Sequence, residues 1–298
     1  MLNKTESISQ SAIFAEKLKD FVALLKVRLS FLVAFSSGFG YMLGARGTVD
    51  YVTFFLFCFG GFLISGASIT LNQVFEKDYD KVMKRTMNRP LPTNRLSKSE
   101  AFKYALILTL IGFAILVVYT NLLTVGLAML SMILYSFVYT PLKRVGPIAV
   151  FVGALPGALP PLLGWVASTG FINYEAMIIF GIQFIWQFPH FWAIAWLADE
   201  DYKKAGFKLL PGNGKKDLNT AIQIMIYTLF LIPLGLLPAQ FGITGITSAI
   251  IATVCGVLFL SQTFSLMKDG SRKSALKIMY GSFVYLPIVQ ISFLLDKI

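Results

Sequence analysis

Nine apolar runs, each long enough to cross a bilayer, dominate this sequence of 298 residues. A helix needs about 20 residues to cross a hydrocarbon core of ~30 Å. Only 14% of the residues are charged, against roughly 25% in soluble domains. The sequence therefore predicts an all-α polytopic membrane protein, a bundle of about nine transmembrane helices in a single domain of residues 1–298, with a central cavity open near the cytoplasmic side. The runs are residues 27–45, 51–75, 104–120, 122–140, 147–168, 175–198, 219–239, 243–264 and 278–295.

Lys and Arg segregate to one side of these runs. Of the 26 Lys and Arg residues, all except Arg46 and Lys297 lie before or at the start of the first run, or in connections on the same side as the N-terminus. Cytoplasmic loops carry such an excess. We therefore predict a protein of the bacterial inner (plasma) membrane, with a cytoplasmic N-terminus and its C-terminus on the outer face. The net charge of +11 then reflects topology and contact with the lipid bilayer, and we expect no nucleic-acid partner.

Three cytoplasmic segments stand out. Residues 1–26 have no uninterrupted apolar core ahead of a cleavage site, so we expect no removable signal peptide. Their apolar residues recur at helical spacing between Lys and Glu, which predicts a helix on the membrane surface. The two long connections, 76–103 and 199–218, each open with an acidic cluster, and long loops in compact bundles are often functional. We expect both to be catalytic loops.

The first acidic cluster continues the second apolar run. Asn72, Glu76 and Asp80 are spaced i, i+4, i+8, so a continuing helix points them the same way. Two carboxylates and an amide suit Mg²⁺, which completes its coordination with water and phosphate oxygens. Basic residues follow at Lys84, Arg85 and Arg89, and they either bind phosphate oxygens or are ordinary positive-inside charges.

The sixth run carries a second polar face. Gln183, Gln187, His190 and Asp201 fall within a narrow arc if one helix spans them. Asp201 is then a candidate to face Glu76 and Asp80 as a further metal ligand. His190, the single histidine, either contacts substrate or hydrogen-bonds between helices.

Two other runs add to the expected cavity. The fourth run ends in a phenol and two cations on the cytoplasmic side: Tyr139, Lys143 and Arg144. In the fifth run, glycines and prolines between residues 153 and 161 are expected to break the helix, which often marks a cavity wall.

The acidic and basic clusters lie within three longer sequence motifs. They are Asn72-Gln…Glu76…Asp80…Met83-Lys-Arg-Thr…Asn88-Arg-Pro-Leu-Pro, Tyr139-Thr-Pro-Leu-Lys-Arg and Trp186-Gln-Phe-Pro-His-Phe. Together they resemble motifs of the intramembrane aromatic prenyltransferase superfamily, and within it of the protohaem IX farnesyltransferase (haem O synthase) family. The resemblance covers roughly residues 20–295. Gln73 departs from the acid usual in the superfamily's first signature, and Glu76 is a conservative change from Asp.

The resemblance implies farnesyl diphosphate and haem B as substrates. Farnesyl would join a haem vinyl group with addition of water, giving haem O, which a haem A synthase could receive. Mg²⁺ on Asn72, Glu76, Asp80 and Asp201 would neutralise the diphosphate, with Tyr139 and Tyr202 steadying the allylic cation. The expected diphosphate contacts are Lys84, Arg85, Arg89, Lys143 and Arg144, and the expected haem contacts are Trp186, Gln187 and His190.

Two alternatives stay open. A related prenyltransferase acting on a quinone precursor, such as a hydroxybenzoate or naphthoate, would share the diphosphate site and differ in its acceptor pocket. A secondary transporter would also hold ionisable groups, although near the bilayer midplane rather than at the cytoplasmic ends of helices.

Overall fold

The computed structural model describes residues 10–212 and 214–298, which are helical over most of their length. A π-helical segment, Leu134–Tyr139, lies between α5 and α6. The α-helices are α1 Gln10–Leu25, α2 Val27–Gly44, α3 Tyr51–Asp80, α4 Lys98–Tyr119, α5 Leu122–Ile133, α6 Thr140–Leu142, α7 Ile148–Thr169, α8 Tyr174–Leu197, α9 Asp199–Lys204, α10 Leu218–Gln240, α11 Ile246–Asp269 and α12 Arg272–Leu295.

Within these residues nine helical stretches are long and apolar enough to cross a membrane, when Leu122–Leu142 is taken as one. They match the nine predicted runs, so the chain is a multi-pass membrane protein. α3 continues to Asp80, as the acidic spacing predicted. α4 begins earlier than predicted, at Lys98, because Ser97 and Glu100 form a reciprocal capping box. The first long connection is therefore confined to residues 81–97.

Glycines bring α2 and α7 close together. A Cβ added at Gly164 of α7 would lie 1.8 Å from the carbonyl oxygen of Ser37 in α2, and one at Gly40 would lie 1.9 Å from the carbonyl oxygen of Pro161. Small residues allow this backbone approach where lipid gives no hydrophobic drive between helices. α7 in turn packs on α8, which also contacts α10 and α12, so α8 is central to the bundle.

The prolines of α7 do not break it, so that prediction is wrong. Ile148–Thr169 is one helix with Pro156, Pro160 and Pro161 inside. Proline at 161 removes the N–H that would bond the carbonyl of Gly157. Gln183 and Gln187 of α8 replace it, each donating from Nε2 to Gly157 O at 2.9 Å. The freed backbone group is thus satisfied by a neighbouring helix.

The periodicity of α8 does not reach Asp201. α8 ends at Leu197, and Ala198, with φ −100° and ψ 11°, separates it from α9. The prediction that Asp201 shares a continuous helical face with Gln183 is therefore wrong.

The helix predicted within residues 1–26 is present as α1, while residues 1–9 lie outside the described part. Apolar side chains of α1 are exposed at Phe14, Leu18 and Val22, as expected for a helix on a membrane surface. Asp20 holds α1 against the 81–97 connection through Arg95, at 3.1 Å.

Candidate active site

Two buried carboxylates at the end of α3 form ion pairs with cations from other segments. Glu76 Oε1 lies 2.7 Å from Lys143 Nζ, and Arg89 Nη1 donates to Asp80 Oδ2 at 2.8 Å. The two acids are 6% and 1% exposed. Buried charges are tolerated only when paired, so Lys143 and Arg89 compensate the acids that α3 aligns.

The Asp80 carboxylate keeps coordinating capacity. Its Oδ1 is buried without a hydrogen-bond partner, whereas Glu76 Oε1 is held by Lys143. Asn72, on the same helical face, donates from Nδ2 to Thr140 Oγ1 at 2.9 Å, which leaves its Oδ1 available. Free carboxylate and amide oxygens on one face fit a hard cation such as Mg²⁺, which takes one or two carboxylates and fills the rest with water and phosphate oxygens. Among the described residues no group of three or more His, Cys, Asp or Glu could hold a metal ion.

Lys143 directly follows the fourth transmembrane stretch, Leu122–Leu142, which positions its side chain. The helix widens to π geometry over Leu134–Tyr139, and such segments are frequent at functional sites. Lys143 Nζ lies 4.6 Å from the ring centroid of Tyr139, a cation–π contact. Burial alone would lower the pKa of Lys143, but the Glu76 carboxylate outweighs it and holds that pKa above its ordinary value. The Glu76 carboxylate therefore favours the charged form of Lys143.

A cavity of about 260 Å³ lies between α3 and the π-helical segment. Arg144, at its wall, donates to the Tyr79 hydroxyl at 2.5 Å and covers the Tyr79 ring at 5.1 Å. The lining combines an acid, a cation, hydroxyls and aromatic rings: Phe75, Glu76, Tyr79, Ser136, Phe137, Thr140, Pro141, Arg144 and Phe207. Such a lining can hold both a polar head group and an apolar chain.

Asp201 joins the two long connections. Its carboxylate accepts from the backbone N–H of Lys84 at 3.2 Å and of Arg85 at 3.3 Å. Arg85 also covers the ring of Tyr202, with 4.6 Å between the guanidinium carbon and the ring centroid. In this arrangement Asp201 fixes the 81–97 connection to α9. The side chains of Lys84 and Arg85 are exposed.

The three predicted haem contacts on α8 face two different helices. Gln187 lies against Gly157 of α7, as described above. Trp186 Nε1 donates to Ser282 O of α12 at 3.0 Å, and His190 Nδ1 is 2.8 Å from Ser282 Oγ. The Trp186 and His190 rings stack, with centroids 4.5 Å apart. Of the three residues predicted to contact haem, Trp186 and His190 thus lie together against α12, and the amide of Gln187 bonds to α7.

Sequence reasoning missed several residues of this site. Tyr79 and Phe207 line the cavity, and Thr140 positions Asn72. Asp199, rather than Asp201, is the buried acid of the second cluster, and Lys203 and Lys216 pair with it. Tyr79 could have been suspected because it stands between two acids, but nothing in the sequence marks Phe207.

Comparison with known proteins places the chain in a family. Residues 32–286 match the UbiA prenyltransferase family. The chain is 52% identical over 284 residues to the "Protoheme IX farnesyltransferase" of Cytophaga hutchinsonii, covering 95% of this chain and 99% of that protein. It is 38% identical over 279 residues to the mitochondrial protein of that name from Arabidopsis thaliana, covering 92% of this chain and 64% of that one.

Solved structures share the fold. A digeranylgeranylglyceryl phosphate synthase superposes with a TM-score of 0.77 at 21% identity, covering 94% of this chain and 98% of that one. A UbiA homolog from Archaeoglobus fulgidus, solved with GPP and Mg²⁺, gives a TM-score of 0.64 at 17% identity, covering 92% and 99%. Family match, relatives and fold agree: the chain belongs to the UbiA prenyltransferase family and is an intramembrane prenyltransferase.

Proposed function

We propose that this enzyme transfers the farnesyl group of farnesyl diphosphate to a vinyl group of haem B, with addition of water, and so makes haem O. The observation that carries the proposal is the 52% identity, over nearly the whole of both chains, to a relative named for protohaem IX farnesylation. The buried acids and cations at the end of α3 are suited to binding the diphosphate of farnesyl diphosphate.

The diphosphate end of the substrate is assigned to Glu76, Asp80, Lys143 and Arg89. Lys143 and Arg89 now neutralise the two acids. We propose that Asn72, Glu76 and Asp80 would hold Mg²⁺, with Asp201 as a further candidate ligand. Mg²⁺, when bound, would neutralise charge on the leaving oxygens. Lys143 and Arg89, together with Arg144 at the cavity wall, would contact the diphosphate.

The reaction begins when the bond between C1 of farnesyl and the diphosphate oxygen breaks, and its electron pair leaves with the diphosphate. The allylic cation needs an apolar, electron-rich shelter. The Tyr139 and Tyr202 rings already lie against the cations of Lys143 and Arg85, so we assign them to this role. Lys84 and Arg85, exposed beside Tyr202, would guide the diphosphate towards the site.

The acceptor supplies the electrons for the new bond. The terminal carbon of the haem vinyl group attacks C1, which leaves a cation on the carbon next to the porphyrin ring. Water adds there and loses a proton, giving the hydroxyethylfarnesyl side chain. We propose that the Trp186–His190 pair orients haem, with His190 contacting the iron or a propionate. Gln187 is bound to Gly157 of α7, so it would hold α8 in place rather than contact haem.

The charge distribution supports a reaction at one membrane face. Because nearly all Lys and Arg lie on the side of the acidic clusters, we propose that the site opens at the cytoplasmic face of the plasma membrane. Haem O would pass from there to a haem A synthase.

The test is an assay of purified protein with farnesyl diphosphate, haem B and Mg²⁺, following inorganic diphosphate. Release should require haem and stop when Mg²⁺ is chelated. Diphosphate release that needs an aromatic acid instead of haem would move the enzyme to quinone biosynthesis. Solute transport by vesicles without consumption of farnesyl diphosphate would favour a transporter.

A further inference from the structure

Ser282 of α12 contacts two aromatic side chains of α8 at once. Its carbonyl oxygen accepts from Trp186 Nε1 at 3.0 Å, and its hydroxyl oxygen lies 2.8 Å from His190 Nδ1. Ser282 is fully buried, and the Trp186 and His190 rings are nearly parallel, with an angle of 16° between their planes. One residue of α12 therefore sets the orientation of both rings.

A second contact of the Ser282 hydroxyl decides where the proton of His190 lies. The hydroxyl donates to the carbonyl oxygen of Met279, one turn earlier in α12, at 2.6 Å. A serine hydroxyl has one proton and two lone pairs, so after this donation its oxygen can only accept. His190 must therefore donate from Nδ1, and a neutral imidazole that does so has a lone pair and no proton on Nε2.

The surroundings of His190 favour this neutral form. Its ring stacks on Trp186, and the rings of Phe283 and Phe191 meet it edge-on, with centroids 5.1 Å and 5.5 Å away. In the described part of the chain its one polar contact is to Ser282. An imidazolium inside the membrane would need a charged partner, so the described residues suit a neutral imidazole.

The second ring nitrogen distinguishes a ligand site from a simple contact between helices. His190 is 9% exposed, and the described residues give its Nε2 no hydrogen-bond partner. A histidine that only joined α8 to α12 would leave this nitrogen unsatisfied, which is costly in the membrane interior. The Ser282 hydroxyl does not require His190 either, because Met279 already accepts its proton. The lone pair of Nε2 is therefore available to a ligand from outside the chain.

We infer that Ser282 is a positioning residue that fixes the Nδ1–H tautomer of His190, and that His190 Nε2 is an axial ligand of the haem iron. The inference rests on the proposed function, because it specifies how the acceptor is held. A histidine that binds a metal usually donates its other ring N–H to a neighbouring oxygen, which fixes its tautomer and orientation. Histidine is also a common axial ligand of haem iron. A propionate is not a suitable partner for Nε2, because both groups are hydrogen-bond acceptors.

The tautomer is tested without haem. His190 is the only histidine of the chain, so full-length protein labelled with ¹⁵N-histidine and purified through a histidine-free tag gives the ring signals of one residue. At mildly alkaline pH, nuclear magnetic resonance of the wild type should show a protonated Nδ1 and an unprotonated Nε2. Ser282→Ala should shift the proton towards Nε2, whereas Ser282→Thr, which keeps the hydroxyl, should leave it on Nδ1.

Ser292→Ala is the matched control for the loss of a serine from α12. The Ser292 hydroxyl donates to the carbonyl oxygen of Val289 at 2.8 Å, a bond of the same kind as that of Ser282. Since Ser292 makes no hydrogen bond to His190, its variant should keep the wild-type tautomer and the wild-type affinity for haem.

Iron ligation is tested by adding haem B to the purified protein without farnesyl diphosphate. Optical and electron paramagnetic resonance spectra of the wild type should show an iron with a histidine ligand. His190→Ala should lose this signature, and added imidazole should restore it, which the loss of a merely structural histidine would not allow. Ser282→Ala should weaken haem binding about three- to fivefold, as the loss of one neutral hydrogen bond does.

A wild-type histidine that is protonated on Nε2 would overturn the inference, and so would haem spectra that His190→Ala leaves unchanged. Neither result would remove the proposed function, since haem could still bind through other contacts. If the wild type binds no haem at all, the proposed function fails together with the iron contact.

Discussion

Asp80 and Arg89 form an ion pair that uses only one carboxylate oxygen. Arg89 Nη1 donates to Oδ2 at 2.8 Å, while Oδ1 is buried with no partner. An unpaired oxygen on a buried carboxylate is costly, and a ligand that contacts it would offset that cost. The pair is therefore suited to exchange its contacts on arrival of a metal and a diphosphate.

Asp80→Asn keeps the shape of the side chain and removes the charge. We expect turnover to fall by on the order of 100-fold or more, because a carboxylate that would hold the Mg²⁺ opposite the diphosphate is lost. Asp78→Asn is the matched control, since Asp78 lies on the same helix but is exposed and pairs with Lys81 and Lys98. Steady-state rates of both variants check this, and near-normal turnover in Asp80→Asn would remove it from the site.

Variants of the Glu76–Lys143 ion pair distinguish its contribution to stability from its contribution to activity. Either Glu76→Gln or Lys143→Met leaves a buried charge without its partner, which costs about 3–5 kcal/mol in buried pairs. The double variant removes both charges and should regain most of the thermal stability, yet it should remain inactive. Thermal unfolding in detergent and turnover are measured on all three. Recovery of activity in the double variant would show that the pair is only structural.

His190→Ala should raise KM for haem roughly tenfold, the value of about one charge-assisted contact, and leave KM for farnesyl diphosphate unchanged. Ser282→Ala, which removes the Nδ1 partner, is the comparison and should have a smaller effect on haem. Steady-state kinetics with each substrate varied in turn measure both constants. Equal damage to the use of both substrates would assign His190 to helix packing.

Asp50 caps α3 and gives the fold a pH dependence. Hydrogen bonds from Thr53 and Val52 hold the pKa of Asp50 below its ordinary value. Because the folded pKa is depressed, the stabilisation is present above the unfolded value of about 3.9 and is lost as pH falls through the folded pKa. Asp50→Ala should lower the melting temperature at neutral pH, and the difference from wild type should shrink below about pH 4.

Asp50→Asn is the control for that experiment, since an amide oxygen also caps a helix but does not titrate. Its melting temperature should stay close to that of the wild type at neutral pH. A difference between wild type and Asp50→Ala that persists unchanged into acid would contradict the assignment of the cap.

Local periodicity explains which parts of the site were predictable from the sequence. Asn72, Glu76 and Asp80 lie on one uninterrupted helix, so their spacing placed them correctly. The same argument failed for Asp201, because the chain leaves helical geometry at Ala198 and its later direction depends on contacts with the 81–97 connection. Helical spacing carries no information across such a break.

Roles that depend on distant partners were not predictable. Gln187 looked like a cavity residue because it is polar in a membrane helix, and its partner proved to be a carbonyl freed by a proline in α7. Family resemblance supplied the substrates, which no spacing of residues could provide.

The most direct test of the central claim offers the purified enzyme a choice of acceptor. Farnesyl diphosphate and Mg²⁺ are added with equal amounts of haem B and a hydroxybenzoate, and the products are separated by chromatography and weighed by mass spectrometry. We predict that haem gains one farnesyl group and one water, and that the aromatic acid is unchanged. Prenylation of the aromatic acid alone would contradict the assignment of haem as the acceptor.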